Sequence, residues 1–212
     1  TENGVLVYNK DTHLSYRINQ SFNNDKNTLS DKSVYSIYIS KDNIVWIGTY
    51  FGGVNFAKLE QAGFLKLDAK ANGNFLRGKA VSQITEDMQG SLWFCTEDGG
   101  ITIIDKHSHD YKYLNISNGL SSNNIHSICH DNRNNIWIGT FLGGLDCLNK
   151  KTGKIKVYKN KIGDSTSISN NYVYALRQDT RGKLWVGTQF GLNIYNYEKD
   201  CFEAFKPSIF YD

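Results

Sequence analysis

Four tryptophans constrain this chain more than any other feature. Trp46-Ile47-Gly48-Thr49, Trp93-Phe94-Cys95-Thr96, Trp137-Ile138-Gly139-Thr140 and Trp185-Val186-Gly187-Thr188 recur at spacings of 47, 44 and 48 residues. Units of that length cannot each enclose a core, so they must stack and share one. Two variable residues after each threonine comes a glycine, then a strand-like run: Gly52-Gly53-Val54-Asn55-Phe56, Gly99-Gly100-Ile101-Thr102-Ile103, Gly143-Gly144-Leu145-Asp146-Cys147 and Gly191-Leu192-Asn193-Ile194-Tyr195. The N-terminus fits the same template, with Thr1 and Gly4–Asn9 aligning on Thr188 and Gly191–Asn196. The sequence therefore opens inside a repeat, and we read it as a piece of a larger array.

Each unit reads as four short strands. Strand A covers Val34–Ser40, Val81–Glu86, Ile125–His130 and Val173–Gln178, strand B carries the Trp and Thr, and strand C follows the glycines. Strand D is an aromatic-rich run at Phe64–Leu67, Tyr111–Leu114, Ile155–Tyr158 and Phe202–Phe205. Asn43, Gly90, Asn134 and Gly182 each stand three residues before a Trp. Exchange of Asn with Gly marks a tight turn that needs positive φ. Asp87, Asp131 and Asp179, three residues earlier still, can accept from turn amides, and Ser40 is a weaker version of the same device. Strand A at Val34–Ile39 is apolar or aromatic on both sides, as in a strand buried on both faces.

Four strands per 44–48 residues is the period of a β-propeller blade. The fold class is all-β: about four and a half four-stranded antiparallel blades, an incomplete part of a larger propeller. Within one segment, 1–212, the partial blade covers 1–18 and the full blades 29–68, 80–114, 124–158 and 172–205. The Trp is expected to fill the space between adjacent blades, and the glycines to allow close backbone approach at the B–C turn. Pro207-Ser208-Ile209-Phe210 is too short to complete a ring. Open blade edges are adhesive, so self-association through them is expected.

Composition removes several classes. Lys and Arg total 24 against 21 Asp and Glu, a net charge of +3 with the basic residues scattered, which argues against nucleic acid. No apolar run approaches the roughly 18 residues a membrane span needs. Thr1-Glu2-Asn3-Gly4 carries neither the basic nor the apolar region of a signal peptide. Aromatic residues at 13%, 19 Gly and the single Pro207 favour strands and glycine turns. Cys95, Cys129, Cys147 and Cys201 are widely spaced, with no zinc-type cluster, and read as isolated half-buried thiols.

The unit Val/Ile-x-Ser/Ala-Ile/Leu-x-x-Asp-x-x-Gly/Asn-x-Leu/Ile-Trp-Ile-Gly-Thr-x-x-Gly-Gly-Leu closely resembles the two-component regulator propeller repeat. Leu29–Ile37 and Trp46–Asn55 are similar to its versions in hybrid two-component sensors of gut Bacteroidetes. The resemblance implies seven-bladed propellers, usually in tandem, in the periplasmic half of a membrane-anchored hybrid histidine kinase. It also implies recognition of glycan breakdown products and control of carbohydrate-utilisation genes. The kinase, the receiver, the immunoglobulin-like domain and the transmembrane helix of that pattern lie outside this sequence. Cys95 in place of the repeat glycine is a local departure.

In a propeller the D–A and B–C loops share one face, and residues that vary within a fixed frame are its natural ligand readers. Those between the Thr and the glycines are Tyr50, Phe51, Glu97, Asp98, Phe141, Leu142, Gln189 and Phe190. The D–A loops add Asn24, Asp25, Asp31, Lys32, Asn123, Asn124, Asn170, Asn171 and Tyr172. Rings beside amides and carboxylates suit an oligosaccharide, which offers C–H faces and hydroxyls. Catalysis has weaker support. Glu97 and Asp98 are adjacent, whereas a glycosidase pair faces across the scissile bond, and the matching positions of the other units hold no acid. His107-Ser108-His109-Asp110 lies in a C–D turn on the opposite face and reads as a polar turn; His126 and His130 read as packed or solvent-facing. No catalytic residue, metal site or cofactor is expected. A ligand-sensing module is the favoured reading, with a structural or dimerising propeller, or a propeller carbohydrate lyase or hydrolase, as alternatives.

Overall fold

Each Trp-bearing run is a β-strand, and the runs on either side pair with it in antiparallel register. The structure, a computed structural model, describes residues 2–20, 28–58, 65–67 and 76–206. It divides into two units, Thr1–Leu114 and Asn115–Asp212. The first unit opens with a two-stranded sheet, β1 (Val5–Tyr8) and β2 (Ser15–Ile18). A four-stranded sheet follows, β3 (Val34–Ile39), β4 (Ile44–Thr49), β5 (Val54–Lys58) and β6 (Leu65–Leu67). The next is β7 (Val81–Glu86), β8 (Leu92–Thr96), β9 (Gly100–Ile104) and β10 (Tyr111–Leu114). After a 3-10 turn at Ile116–Asn118, the second unit holds β11 (Ile125–His130), β12 (Asn135–Thr140), β13 (Leu145–Asn149) and β14 (Ile155–Tyr158). Its last sheet is β15 (Val173–Gln178), β16 (Leu184–Thr188), β17 (Gly191–Asn196) and β18 (Cys201–Ala204). The described residues thus contain eighteen strands, with sheet order equal to chain order. Asn24, Asp25, Phe64 and Pro207–Phe210 lie outside them.

The A–B turn closes as its residues require. Asn43, Gly90, Asn134 and Gly182 have φ of 57°, 84°, 66° and 80°. Asp131 Oδ1 accepts from Arg133 N and Asn135 N, both at 2.8 Å, and Oδ2 accepts from Trp137 Nε1 at 2.9 Å. Asp87 binds Gln89 N, Ser91 N and Trp93 Nε1 in the same way, and Asp179 binds Arg181 N, Lys183 N and Trp185 Nε1. One carboxylate thereby fixes both the turn and the indole six residues on. The Ser40 hydroxyl reaches only the backbone of Ile44, accepting from its N and donating to its O, and Trp46 Nε1 is buried with no hydrogen-bond partner.

Trp46 and Trp137 pack between neighbouring sheets within their units. In the first, Trp46 of β4 meets Val81, Ile84 and Phe94 of the next sheet. In the second, Trp137 of β12 meets Val173, Leu184, Val186, Tyr195 and Phe202. Strand β3 departs from expectation: Tyr35, Ile37 and Ile39 are 52%, 53% and 56% exposed. Val5 and Ile18 of the two-stranded sheet pack against the cluster of Leu29, Val34 and Ile47, Tyr38 packs on the Trp46 cluster, and the side of β3 that carries Tyr35, Ile37 and Ile39 is left uncovered. Ile84, at the position of Ile37 but beneath Trp46, is 4% exposed. All four cysteines are free thiols, Cys95 fully buried and the others half-buried.

Candidate functional site

The loop face is built by one backbone bond repeated in every full unit. The residue after each recurring Thr donates its amide to the D–A loop: Tyr50 N to Ser33 O, Glu97 N to Ala80 O, Phe141 N to Asn124 O, and Gln189 N to Tyr172 O, at 2.9–3.0 Å. The Thr hydroxyl closes the B–C turn, donating to Gly53 O, Gly100 O, Gly144 O and Gly191 O. A side chain on strand C then braces the same loop from below. Asn55 and Asn193 accept from Ser30 N and Ser169 N, Thr102 accepts from Arg77 N, and Asp146 accepts from Ser121 N. All four bracing residues are fully buried. The loop tips are therefore held on a rigid scaffold, as a binding face requires.

The structure brings some of the sequence-predicted residues together. In the second unit Phe141 packs edge-on against Tyr172 with ring centroids 4.7 Å apart, and stacks on His126 at 5.6 Å. Tyr174 meets His126 at 5.0 Å. Asn124, beside this group, has a buried Oδ1 without a hydrogen-bond partner. In the first unit Tyr50 packs on Phe51 at 4.2 Å and on Tyr35 at 4.9 Å. Phe51, Leu142 and Phe190 are exposed at 69%, 56% and 73%. Leu142 also holds φ of 68°, a left-handed conformation that a leucine adopts at a cost.

Other sequence-predicted residues are braces. Asp98 Oδ1 accepts from Lys79 N, and Asp31 accepts from Ser33 N and Phe51 N. Asn171 Oδ1 accepts from Asn160 N, while its carbonyl takes Gly144 N. Asn123 Oδ1 takes Ile116 N, and Asn170 Oδ1 takes Tyr172 N. In the C–D turn, Asp105 accepts from His107 N and Ser108 N, which hold its carboxyl below the usual range. Among the described residues no group of three or more His, Cys, Asp or Glu is placed to hold a metal ion.

Sequence reasoning missed Tyr35 and Tyr174, and gave His126 no part in the loop face. Each is the second residue of strand A, where a register shift interrupts pairing with strand B, between Val34 and Ser36, Ile125 and Ser127, and Val173 and Ala175. Such a bulge redirects the extra side chain, here onto the loop-tip rings. Its signal was an aromatic or histidine ring at that position in three of four units.

The two-component regulator propeller family matches residues 28–51, 119–141 and 167–190. Among solved structures, the chain is similar to extracellular domains of two hybrid two-component systems of Bacteroides thetaiotaomicron. One is 21% identical with a TM-score of 0.81, covering 95% of this chain and 27% of that one. The other is 24% identical with a TM-score of 0.74, covering 100% and 29%. The chain thus spans less than a third of the length of these domains. Virginiamycin B lyase from Staphylococcus aureus shares the fold at 18% identity and a TM-score of 0.61, covering 88% of this chain and 58% of that one. No curated protein sequence matches the chain. Together with the sheet order, the likeness identifies the fold as part of a β-propeller.

Proposed function

We propose that this chain, which carries two-component regulator propeller repeats, is a segment of the periplasmic sensor region of a hybrid two-component regulator, acting by binding and not by chemistry. The ligand is an oligosaccharide met by the loop face, and the distant histidine kinase responds to a shift in domain or subunit packing, so that carbohydrate-utilisation genes follow the sugar. The observation that carries the reading is the ring cluster of Phe141, Tyr172, His126 and Tyr174, held by the amide bond of Phe141 to Asn124. Ring faces gathered at the loop tips suit sugar C–H surfaces. A ligand shifts the sensor only by its differential affinity for two arrangements. Calorimetry of the protein against a panel of oligosaccharides tests this. One sugar should bind, and Phe141→Ala or Tyr172→Ala should weaken it about two- to tenfold, since stacking contributes on the order of 0.5–1.5 kcal/mol per ring. Binding unchanged in both variants, or none across the panel, would count against it.

A second reading, a structural or dimerising propeller, is favoured by the exposed stripe of Tyr35, Ile37 and Ile39 on β3. The lyase shares the fold alone, and Asp98 is committed to Lys79 N, so catalysis is not our reading. Among the described residues no helix is long and apolar enough to cross a membrane.

A further inference from the structure

Opposite the loop face, the first unit contains a cleft of about 310 Å³ between the A–B and C–D turns. Ile44, Trp46, Leu92 and Ile104 form its apolar walls, and Ser40, Glu86, Lys106 and His109 stand around them. Its volume lies at the lower end of the range for small-molecule sites, roughly 300–1,000 Å³. The repeat supplies an internal reference for what this space accommodates, because the same positions recur in the second unit. Ser40 there is Asp131, Trp46 is Trp137, Glu86 is Gln178, and Lys106 is Tyr197.

In the second unit the protein fills the space itself. The Tyr197 ring lies 4.9 Å from Tyr195 and 6.3 Å from Trp137, edge-on to both. Its hydroxyl donates to Asp131 Oδ2 at 3.1 Å and accepts from Gln178 Nε2 at 3.4 Å. Asp131 Oδ2 in turn accepts from Trp137 Nε1. A carboxylate oxygen thus completes that indole, and the phenol packs edge-on against its ring while donating to the same oxygen. In the first unit both are gone: Ser40 is too short, and the Lys106 stem lies across Gly90 with its ammonium 3.6 Å from Asp42. Trp46, 7% exposed, keeps an indole N–H with no partner. The Glu86 carboxylate remains, accepting from Tyr38 OH at 3.1 Å and lying 3.6 Å from Lys41 Nζ.

We propose that this cleft binds a small phenolic compound, its ring against Trp46 and its hydroxyl between the Trp46 indole N–H and the Glu86 carboxylate. The oxygen accepts from Nε1 and donates its proton to Glu86, which a neutral hydroxyl can do at once and an anion beside Glu86, Asp42 and Asp105 cannot. The inference is independent of the loop-face reading.

The probe is p-cresol, the tyrosine side chain itself, at millimolar concentration. In a nitrogen–proton correlation spectrum the Trp46 indole signal should move on titration, with the other three indoles steady. Ser40→Asp with Lys106→Tyr, which installs the filling of the second unit, should weaken binding at least tenfold. Lys106→Tyr alone, which keeps the native turn, should weaken it in the same direction if the double variant does not fold. A Trp46 signal unmoved by p-cresol overturns the proposal, as does undiminished binding in the folded variants. Equal affinity for glycerol or glucose at that signal overturns the phenolic class.

Discussion

Asp146 is the one acid among the four buried residues that brace the D–A loops from strand C, and it is poorly matched to its place. Its counterpart Asn193 accepts from Ser169 and donates Nδ2 to Val186 O. Asp146 accepts from Ser121 N through Oδ2, while Oδ1 is buried without a partner. Burial therefore pushes its carboxyl above the usual range, against the lowering pull of Ser121. A raised folded-state value means that this group favours the fold below its ordinary titration range and loses that contribution as pH rises through the raised value. Asp146→Asn should then stabilise the protein by about 1–2 kcal/mol at pH 7, its amide reaching Ile138 O as Asn193 reaches Val186 O. Urea denaturation at pH 7 and pH 4 checks it: the gain should shrink at the lower pH, and a gain independent of pH would refute the account. Asp131 is the opposite case. Burial would raise its value, but Trp137, Asn135 and Arg133 donate to it and the net direction is down. Asp131→Ala strands these donors and the Tyr197 hydroxyl, at a cost of about 2–4 kcal/mol. Asp179→Ala should cost visibly less in the same measurement, because Trp185 is only half-buried.

At the scale of the strand, the glycine of Trp-x-Gly-Thr is explained by what lies across the ladder. Gly48 pairs with Ser36 and Gly139 with Ser127. A Cβ on Gly139 would stand 2.4 Å from Ser127 Oγ and 2.8 Å from Val173 Cγ1 of the next sheet. On Gly187 its nearest neighbour would be Ala175 Cβ at 3.3 Å. Gly139→Ala should therefore cost roughly 2–3 kcal/mol and Gly187→Ala under about 1, measured by thermal unfolding of the two variants. The sheet of β7–β10 departs from the pattern at both ends of this pair, with Cys95 opposite Gln83. The family matches the other three units and not this one, although its four strands are the same. Strand order and turn placement were legible because period and turn chemistry are local: Asn134 and Gly182 announce positive φ by composition alone. The bond from Asp131 to Trp137 was not, since it spans a hairpin whose side-chain direction depends on register. The ring cluster of the loop face was hidden for a related reason. A bulge moves His126 and Tyr174 out of the two-residue alternation on which strand reading rests. The backbone bonds of Asp98 and Asn171 were not legible either, because a polar loop residue looks the same whether it faces a ligand or its own backbone.

Across the whole molecule, one packing rule joins sheet to sheet within each unit, and β3 is where it stops. Trp46 covers Ile84, and Trp137 packs against Val173, yet Ile37 meets no such indole and stands 53% exposed between Tyr35 and Ile39. The last sheet offers the complement in kind: Trp185, half-buried on β16, has Phe205 as its ring neighbour at 5.3 Å. The row on β3 lacks the indole that packs on its counterparts in each unit, although Val5 and Ile18 already cover Leu29, Val34 and Ile47 beside it. We propose that a second copy of the chain covers this row, a heterologous contact that continues rather than closes unless rotation brings the ends together. Burying a side chain such as Ile37 contributes on the order of 1.5–3 kcal/mol, enough for association at micromolar concentration when several such residues act together. Sedimentation velocity over a hundredfold concentration range should show growing species. Ile37→Lys should shift that range upward at least tenfold without lowering thermal stability, since its side chain is already half in water. A single monomeric boundary at every concentration would mean that the stripe alone cannot recruit a second copy, and the structural or dimerising reading would lose its support.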